Sequence, residues 1–326
     1  MAKFNPIEIS KTMEHRKSRL YFSSCYHYAI DVLRSCAEDC NLHFLTSEND
    51  TREIGATIQN CTRNEEMMTD MSVFFALEYV VEAARVTPDE KTRKRSYDEL
   101  REYPELYVCD PISLEQFCSV ALHELERDLE AGYAKLSKKF VEAVHTGHSI
   151  LFPVHHRQGI STQYEDATTR EPLSCASNNF HWTLVFAHCR SRGKYDIYHY
   201  DSLPNRSNLM YAFKATHAML DSVVRKTEGS PVAISSVHCS FSDRPAWPFG
   251  QIIHPSGVKP IENMSPQESG ISCGLFVLGY GLLLAIMRSP LKKSAVEQIT
   301  DAYVNVLGAF FARIFMLFYV ANTPPQ

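Results

Sequence analysis

No apolar run in this 326-residue chain is long enough to cross a membrane. A spanning helix needs about 20 apolar residues. The longest run near the C-terminus, Val306 to Ala321, is interrupted by Arg313. It reads as a buried helix, and no membrane span is expected. The N-terminal Met1-Ala2-Lys3-Phe4-Asn5-Pro6 has no apolar core of the kind a secretory signal carries. Positive charge is not in excess either. A net charge of −5 gives no general argument for nucleic-acid binding, so none is expected. The basic cluster Lys91-Thr92-Arg93-Lys94-Arg95 reads as a solvated loop. Internal repeats and low-complexity tracts are missing. The ten cysteines form no regular framework. They suggest reduced thiols in a cytosol-like compartment. Cys36-x-x-x-Cys40-x-x-His43 lacks a fourth ligand at zinc-site spacing, so no metal is assigned.

What is present is an ordinary globular composition, 44% hydrophobic and 22% charged. The length suits one or two domains. Helices are expected over Tyr21–Cys40, Thr51–Asn60 and Glu65–Arg85, with a short strand over Leu42–Leu45. Residues 88–112 read as a long connection. Ser113-Leu114-Glu115-Gln116 has the pattern of a capping box, opening one long helix to about His145. Residues 1–145 thus form a mostly helical region, with an accessory or substrate-recognition role. Residues 146–326 form the second unit. There the pattern changes to strands over His148–Val154, His181–Phe186, Tyr195–Tyr200 and Pro231–Val237. A helix over Asn208–Thr227 separates the last two. An apolar helix over Gly274–Met287 and a final helix over Ser294–Ala321 close the chain. Grouped strands followed by helices define an α+β fold.

Three short stretches carry chemistry. In Gln267-Glu268-Ser269-Gly270-Ile271-Ser272-Cys273-Gly274, a polar turn ends at a cysteine that opens the apolar helix. Unsatisfied N–H groups at a helix start favour an anion, so a thiol there becomes a better nucleophile. The plainer reading is a packed core cysteine. His181-Trp182-Thr183 begins a strand, which would hold an imidazole rigidly, as a general base requires. Asp201 ends the next strand. Two adjacent antiparallel strands would bring it beside His181, where a carboxylate orients the ring. Taken singly, His181 also reads as a half-exposed strand residue, and Asp201 as a turn former.

Together, His181-Trp182, Tyr200-Asp201-Ser202-Leu203, and Gln267 followed by Cys273-Gly274 resemble the Ulp-type proteases of SUMO and ubiquitin-like proteins, in the adenain-like clan of cysteine peptidases. Ile150-Leu151-Phe152-Pro153-Val154 is similar to the strand that precedes the His-Trp pair in that family. The resemblance covers about residues 148–290. It implies an Ulp/adenain-like peptidase core with Cys273 as nucleophile, His181 as base, Asp201 as its orienter and Gln267 as oxyanion donor. It implies that Trp182 helps to wall a tunnel for a glycine-glycine tail. Cleavage after the C-terminal glycine of ubiquitin or a ubiquitin-like protein such as SUMO follows, with no cofactor.

The pattern departs in three places. Ser272 stands where Ulp-type members often carry aspartate. An extra segment, 155–179, precedes His181. The interval from Asp201 to Cys273 is long, and its stretch 240–256 is rich in Pro, Trp and Phe. YopJ-type acyltransferases use the same Cys-His-acid set but usually lack the His-Trp pair. An inactive binding module is the non-enzymatic alternative. The architecture is also compatible with an effector secreted into a host cell.

Overall fold

A computed structural model of the chain describes residues 48–85, 105–121, 129–156, 164–165, 172–173, 181–239, 258–262 and 264–322. The helix over Tyr21–Cys40, the strand over Leu42–Leu45, the basic cluster 91–95 and the stretch 240–256 lie outside these residues.

The described elements run α1 (Glu48–Thr62), α2 (Asp70–Arg85), β1 (Leu106–Val108), α3 (Pro111–Ala121), α4 (Leu129–Tyr133), α5 (Lys138–Thr146), β2 (Ser149–His156), β3 (Tyr164–Glu165), β4 (Pro172–Leu173), β5 (His181–Ser191), β6 (Lys194–Tyr200), α6 (Arg206–Glu228), β7 (Ala233–Cys239), β8 (Val258–Pro260), α7 (Cys273–Met287), α8 (Lys293–Val296) and α9 (Asp301–Asn322). Six strands form one sheet in the order β1-β2-β5-β6-β7-β8, and β3 pairs with β4. The two central pairings, β2 with β5 and β5 with β6, are antiparallel, whereas β1, β7 and β8 join in parallel. The fold is mixed α+β.

Helices cover both faces of the sheet. Strand side chains alternate between faces, and β5 supplies both layers. Trp182, Leu184 and Phe186 enter one core with residues of α1, α2, α7 and α9. Val185, Ala187 and Cys189 enter the other with residues of α3, α5 and α6. In α1, Ile54, Ile58 and Cys61 recur at helical spacing and are buried. Helix α7 has no charged residue and is buried from Cys273 to Ile286. Its position is fixed by rings: Tyr280 stacks on Tyr200 of β6 at 5.1 Å. The Leu291 N–H, just beyond the helix, donates to Tyr200 Oη at 3.2 Å.

Caps explain where expected and observed elements differ. The helix expected from Glu65 begins at Asp70, because Thr69 Oγ1 accepts the Ser72 N–H at 3.3 Å. The expected capping box at Ser113 is displaced. Asp110 Oδ1 takes the Ile112 N–H at 3.0 Å and Oδ2 accepts from Ser113 Oγ at 2.9 Å. Helix α3 therefore starts earlier, with Pro111 in its first turn. The long helix to His145 is not continuous: Ser137 caps a new helix by accepting the Phe140 N–H. The final helix is likewise divided, α8 ending at Val296 and α9 beginning at Asp301. The edge strands β1 and β8 were not expected. Among the described residues, no helix is long and apolar enough to cross a membrane.

Gly308 marks a close approach of α9 to α1 and α7. A Cβ added there would lie 2.4 Å from Thr62 Cγ2 and 2.7 Å from Leu275 Cδ2. Thr62 is β-branched and cannot easily turn away. Gly308→Val should therefore destabilise the fold by about 1–3 kcal/mol, measured as a lowered urea midpoint. An unchanged midpoint would show that α1 and α9 are not packed this tightly.

Candidate active site

Four of the five sequence-expected site residues sit where secondary-structure elements end. His181 opens β5, Asp201 follows β6, Cys273 opens α7, and Gln267 lies in the turn before it. The antiparallel register pairs Leu184 with Tyr200. Continuing that ladder brings Asp201 alongside the start of β5. There His181 Nε2–H donates to Asp201 Oδ1 at 2.7 Å, both groups being buried.

Asp201 is itself fixed by the turn it begins. Oδ1 also accepts the Leu203 N–H at 2.9 Å, and Oδ2 accepts the Asn205 N–H at 3.3 Å. Asn208 of α6 adds a long contact from Nδ2 to Oδ2 at 3.5 Å. The carboxylate is thus anchored to its own backbone, and the imidazole is anchored to the carboxylate.

Cys273 lies close enough to the same ring to act on its charge. With Nε2 given to Asp201, Nδ1 is the nitrogen left for the thiol. Burial alone would lower the His181 pKa. Asp201, which accepts the Nε2–H, and the neighbouring Cys273 sulfur, with their charges, outweigh it and raise the value to about 9. Stabilisation from the charged ring is therefore complete below the ordinary value of about 6.5. It is lost as pH rises through about 9.

The turn that delivers Cys273 is held from three directions. Ser202, next to Asp201, donates from Oγ to Gln267 Oε1 at 2.6 Å and accepts the Gln267 N–H at 3.0 Å. That bond sets the amide orientation: Nε2 donates to Ser269 O at 2.8 Å, which uses one of its two hydrogens. Asp301, opening α9, accepts from the Glu268 N–H at 2.8 Å and from Ser272 Oγ at 3.1 Å. Ser269 Oγ bonds Asn64 in the α1–α2 corner. Because Ser272 Oγ faces Asp301, it makes no side-chain cap on α7. Glycine at 274 is required by space, since an added Cβ would fall 2.9 Å from Met68 Cβ.

Trp182, the fifth expected residue, points to the other face of β5 and is 1% exposed. Its Nε1–H donates to Met68 O at 3.1 Å. The His155 ring stacks on it at 4.3 Å, and His155 Nδ1 lies 3.0 Å from Asp70 Oδ1. Met68, Ser202 and Asp301 were not singled out from the sequence. Ser202 follows Asp201 directly, but nothing local marks a contact 65 positions away. Asp196, the other carboxylate of β6, pairs instead with Arg190 and Ser236. Among the described residues no group of three His, Cys, Asp or Glu side chains forms a metal-binding set.

No family model matches the chain, and no curated protein does. Among solved structures, the chain is similar to a de-sumoylating protease, with a TM-score of 0.43 and 10% identity over 80% of this chain and 83% of that one. It is also similar to the SUMO protease Ulp1 with its catalytic cysteine oxidised to a sulfenic acid, with a TM-score of 0.38 and 11% identity over 81% and 95%. The sulfinic acid form of Ulp1 aligns with a TM-score of 0.39 and 12% identity over 82% and 96%.

Two of the causes that raise the His181 pKa can be removed singly. In an NMR titration the wild-type ring should titrate near pH 9. Asp201→Asn and Cys273→Ala should each move the midpoint down. A midpoint that stays in place in both variants would show that neither group holds the proton.

Proposed function

We propose that the chain is a cysteine peptidase that cleaves after the C-terminal glycine of ubiquitin or a ubiquitin-like protein such as SUMO. The observation that carries this reading is the placement of Cys273 and Asp201 on one imidazole, His181, in a buried setting. The substrate class is supported by the resemblance of His181-Trp182, Tyr200-Asp201-Ser202-Leu203, Gln267 and Cys273-Gly274 to the Ulp-type proteases.

The chemistry follows from the geometry. His181 takes the Cys273 proton, giving a thiolate and an imidazolium steadied by Asp201. The thiolate attacks the glycine carbonyl, and negative charge moves to its oxygen. The second Nε2 hydrogen of Gln267 and the Cys273 N–H, at the start of α7, stabilise that oxyanion. Imidazolium gives its proton to the departing amine as the C–N bond breaks, leaving a thioester on Cys273. His181 then takes a proton from water, which attacks the thioester. The glycine carboxylate leaves and the thiol is restored.

A glycine-glycine tail has no side chains, which suits the narrow channel that the resemblance to the Ulp-type proteases implies. Trp182, held by Met68 and His155, is read as part of the channel wall. A reducing compartment suits the reaction, since the nucleophile must stay a thiol.

A panel of ubiquitin and ubiquitin-like proteins with electrophilic C-termini tests both parts. At least one member should label Cys273, and Cys273→Ala should abolish labelling and hydrolysis while staying folded. Gln267→Ala should lower turnover by about 10²–10³-fold. Hydrolysis retained in Cys273→Ala would remove the reading. Transfer from labelled acetyl-coenzyme A to a protein acceptor, with no probe labelled, would replace it by acyl transfer.

A further inference from the structure

Hydrolysis as written uses one of three strand histidines on this face of the sheet, His156, His181 and His199. His156, on β2, lies directly across from His181 in the β2–β5 register. The two rings stack with centroids 6.1 Å apart and planes 23° from parallel. His156 Nε2 is 2.9 Å from Thr183 Oγ1, on the same face of β5 as His181. Tyr211, from α6, meets the His156 ring edge-on at 5.6 Å. The third ring, His199 on β6, is buried, and neither of its nitrogens has a hydrogen-bond partner among the described residues.

These neighbours differ in charge from His181. Burial, then the nearby histidines, pushes His156 well below its ordinary pKa. Burial takes His199 down to about 4 against the pull of Asp201. Of the three, only His181 donates to a carboxylate. Two adjacent buried imidazolium rings would repel each other, so the cluster keeps its positive charge on His181.

We propose that His156 is a positioning residue for His181: its flat ring, pinned by Thr183, lies against the imidazole and holds it between Asp201 and Cys273. This rests on the reading of Cys273 and His181 as nucleophile and base. A histidine at the start of a strand turns about two side-chain bonds. If it turns, Nε2 leaves Asp201 and Nδ1 leaves the thiol. A ring packed on its face removes the space for that rotation. A neutral ring does this without opposing the imidazolium. Thr183, by engaging Nε2, keeps the His156 plane aligned.

Alkylation of Cys273 by iodoacetamide, followed by peptide mass spectrometry on the full chain, tests this without any substrate. Thiols in general are ionised by solvent at about pH 10, whereas at about pH 7 a thiolate persists only beside an aligned cation, here the His181 imidazolium. His156→Ala should slow alkylation about tenfold at pH 7 and leave the pH 10 rate within about twofold. His156→Phe restores a flat neutral ring and should return the pH 7 rate to within about threefold of wild type. Thr183→Val, which keeps the volume but not the pin, should give an intermediate loss. His181→Ala is the control. Its loss at pH 7, with His156→Ala unaffected, overturns the positioning role alone. An equal fall of His156→Ala at both pH values, or no rescue by His156→Phe, also overturns it. If His181→Ala alkylates at pH 7 like wild type, the nucleophile–base reading and this role fall together.

Discussion

An imidazolium taken out of water costs free energy unless a carboxylate meets it, and His181 is 4% exposed. Asp201 meets it at 2.7 Å, and most of the site's geometry follows from that contact. The carboxylate cannot swing away, because the Leu203 and Asn205 N–H groups hold both of its oxygens. Those N–H groups belong to the turn that leads into α6, which Asn205 caps by accepting the Ser207 N–H. The orientation of one ring is thus tied to the start of a 23-residue helix. The β5–β6 ladder beneath supplies the distance, and the turn supplies the direction.

The Cys273 thiol reaches this pair by a different route. Cys273 arrives on an apolar helix packed against Trp182, Leu184 and Phe186, on the face of β5 opposite to Val185. Bonds to Ser202, Asp301 and Asn64 then hold its preceding turn. Ser202 connects the two halves, since it adjoins Asp201 and engages Gln267 through both side chain and backbone. Residues on either side of position 145 share the core that carries α7: Ile54, Ile58, Met68 and Leu77 pack with Leu275 and Phe276.

Local pattern made some of this legible and concealed the rest. A charge-free stretch after Cys273 can only be buried, so its helix and its start were readable. Alternation and chain order placed His181 and Asp201 at strand ends. Their meeting needed only that neighbouring strands pair antiparallel, the commonest short connection. Helix breaks were less visible. Thr69 and Ser137 each interrupt an apparently continuous helical pattern, and Asp110 moves a helix start forward into an expected connection, by taking backbone N–H groups that periodicity does not register. The break before Asp301 depends on partners 29 and 33 positions away. The stack of His156 on His181 was hidden for a related reason. It follows from strand register, which a sequence does not display when both faces of a strand are buried. Edge strands β1 and β8 have three residues each, too few for an alternation to be seen.

The central claim is that Cys273 forms a thioester with a glycine C-terminus. Mass spectrometry after rapid acid quench tests it most directly, using a ubiquitin-like protein carrying a C-terminal ester. The expected result is a transient adduct on Cys273 that hydroxylamine removes, and that is missing in Cys273→Ala. Ester hydrolysis that proceeds with no adduct, or with the adduct on another cysteine such as Cys61 or Cys239, would contradict it.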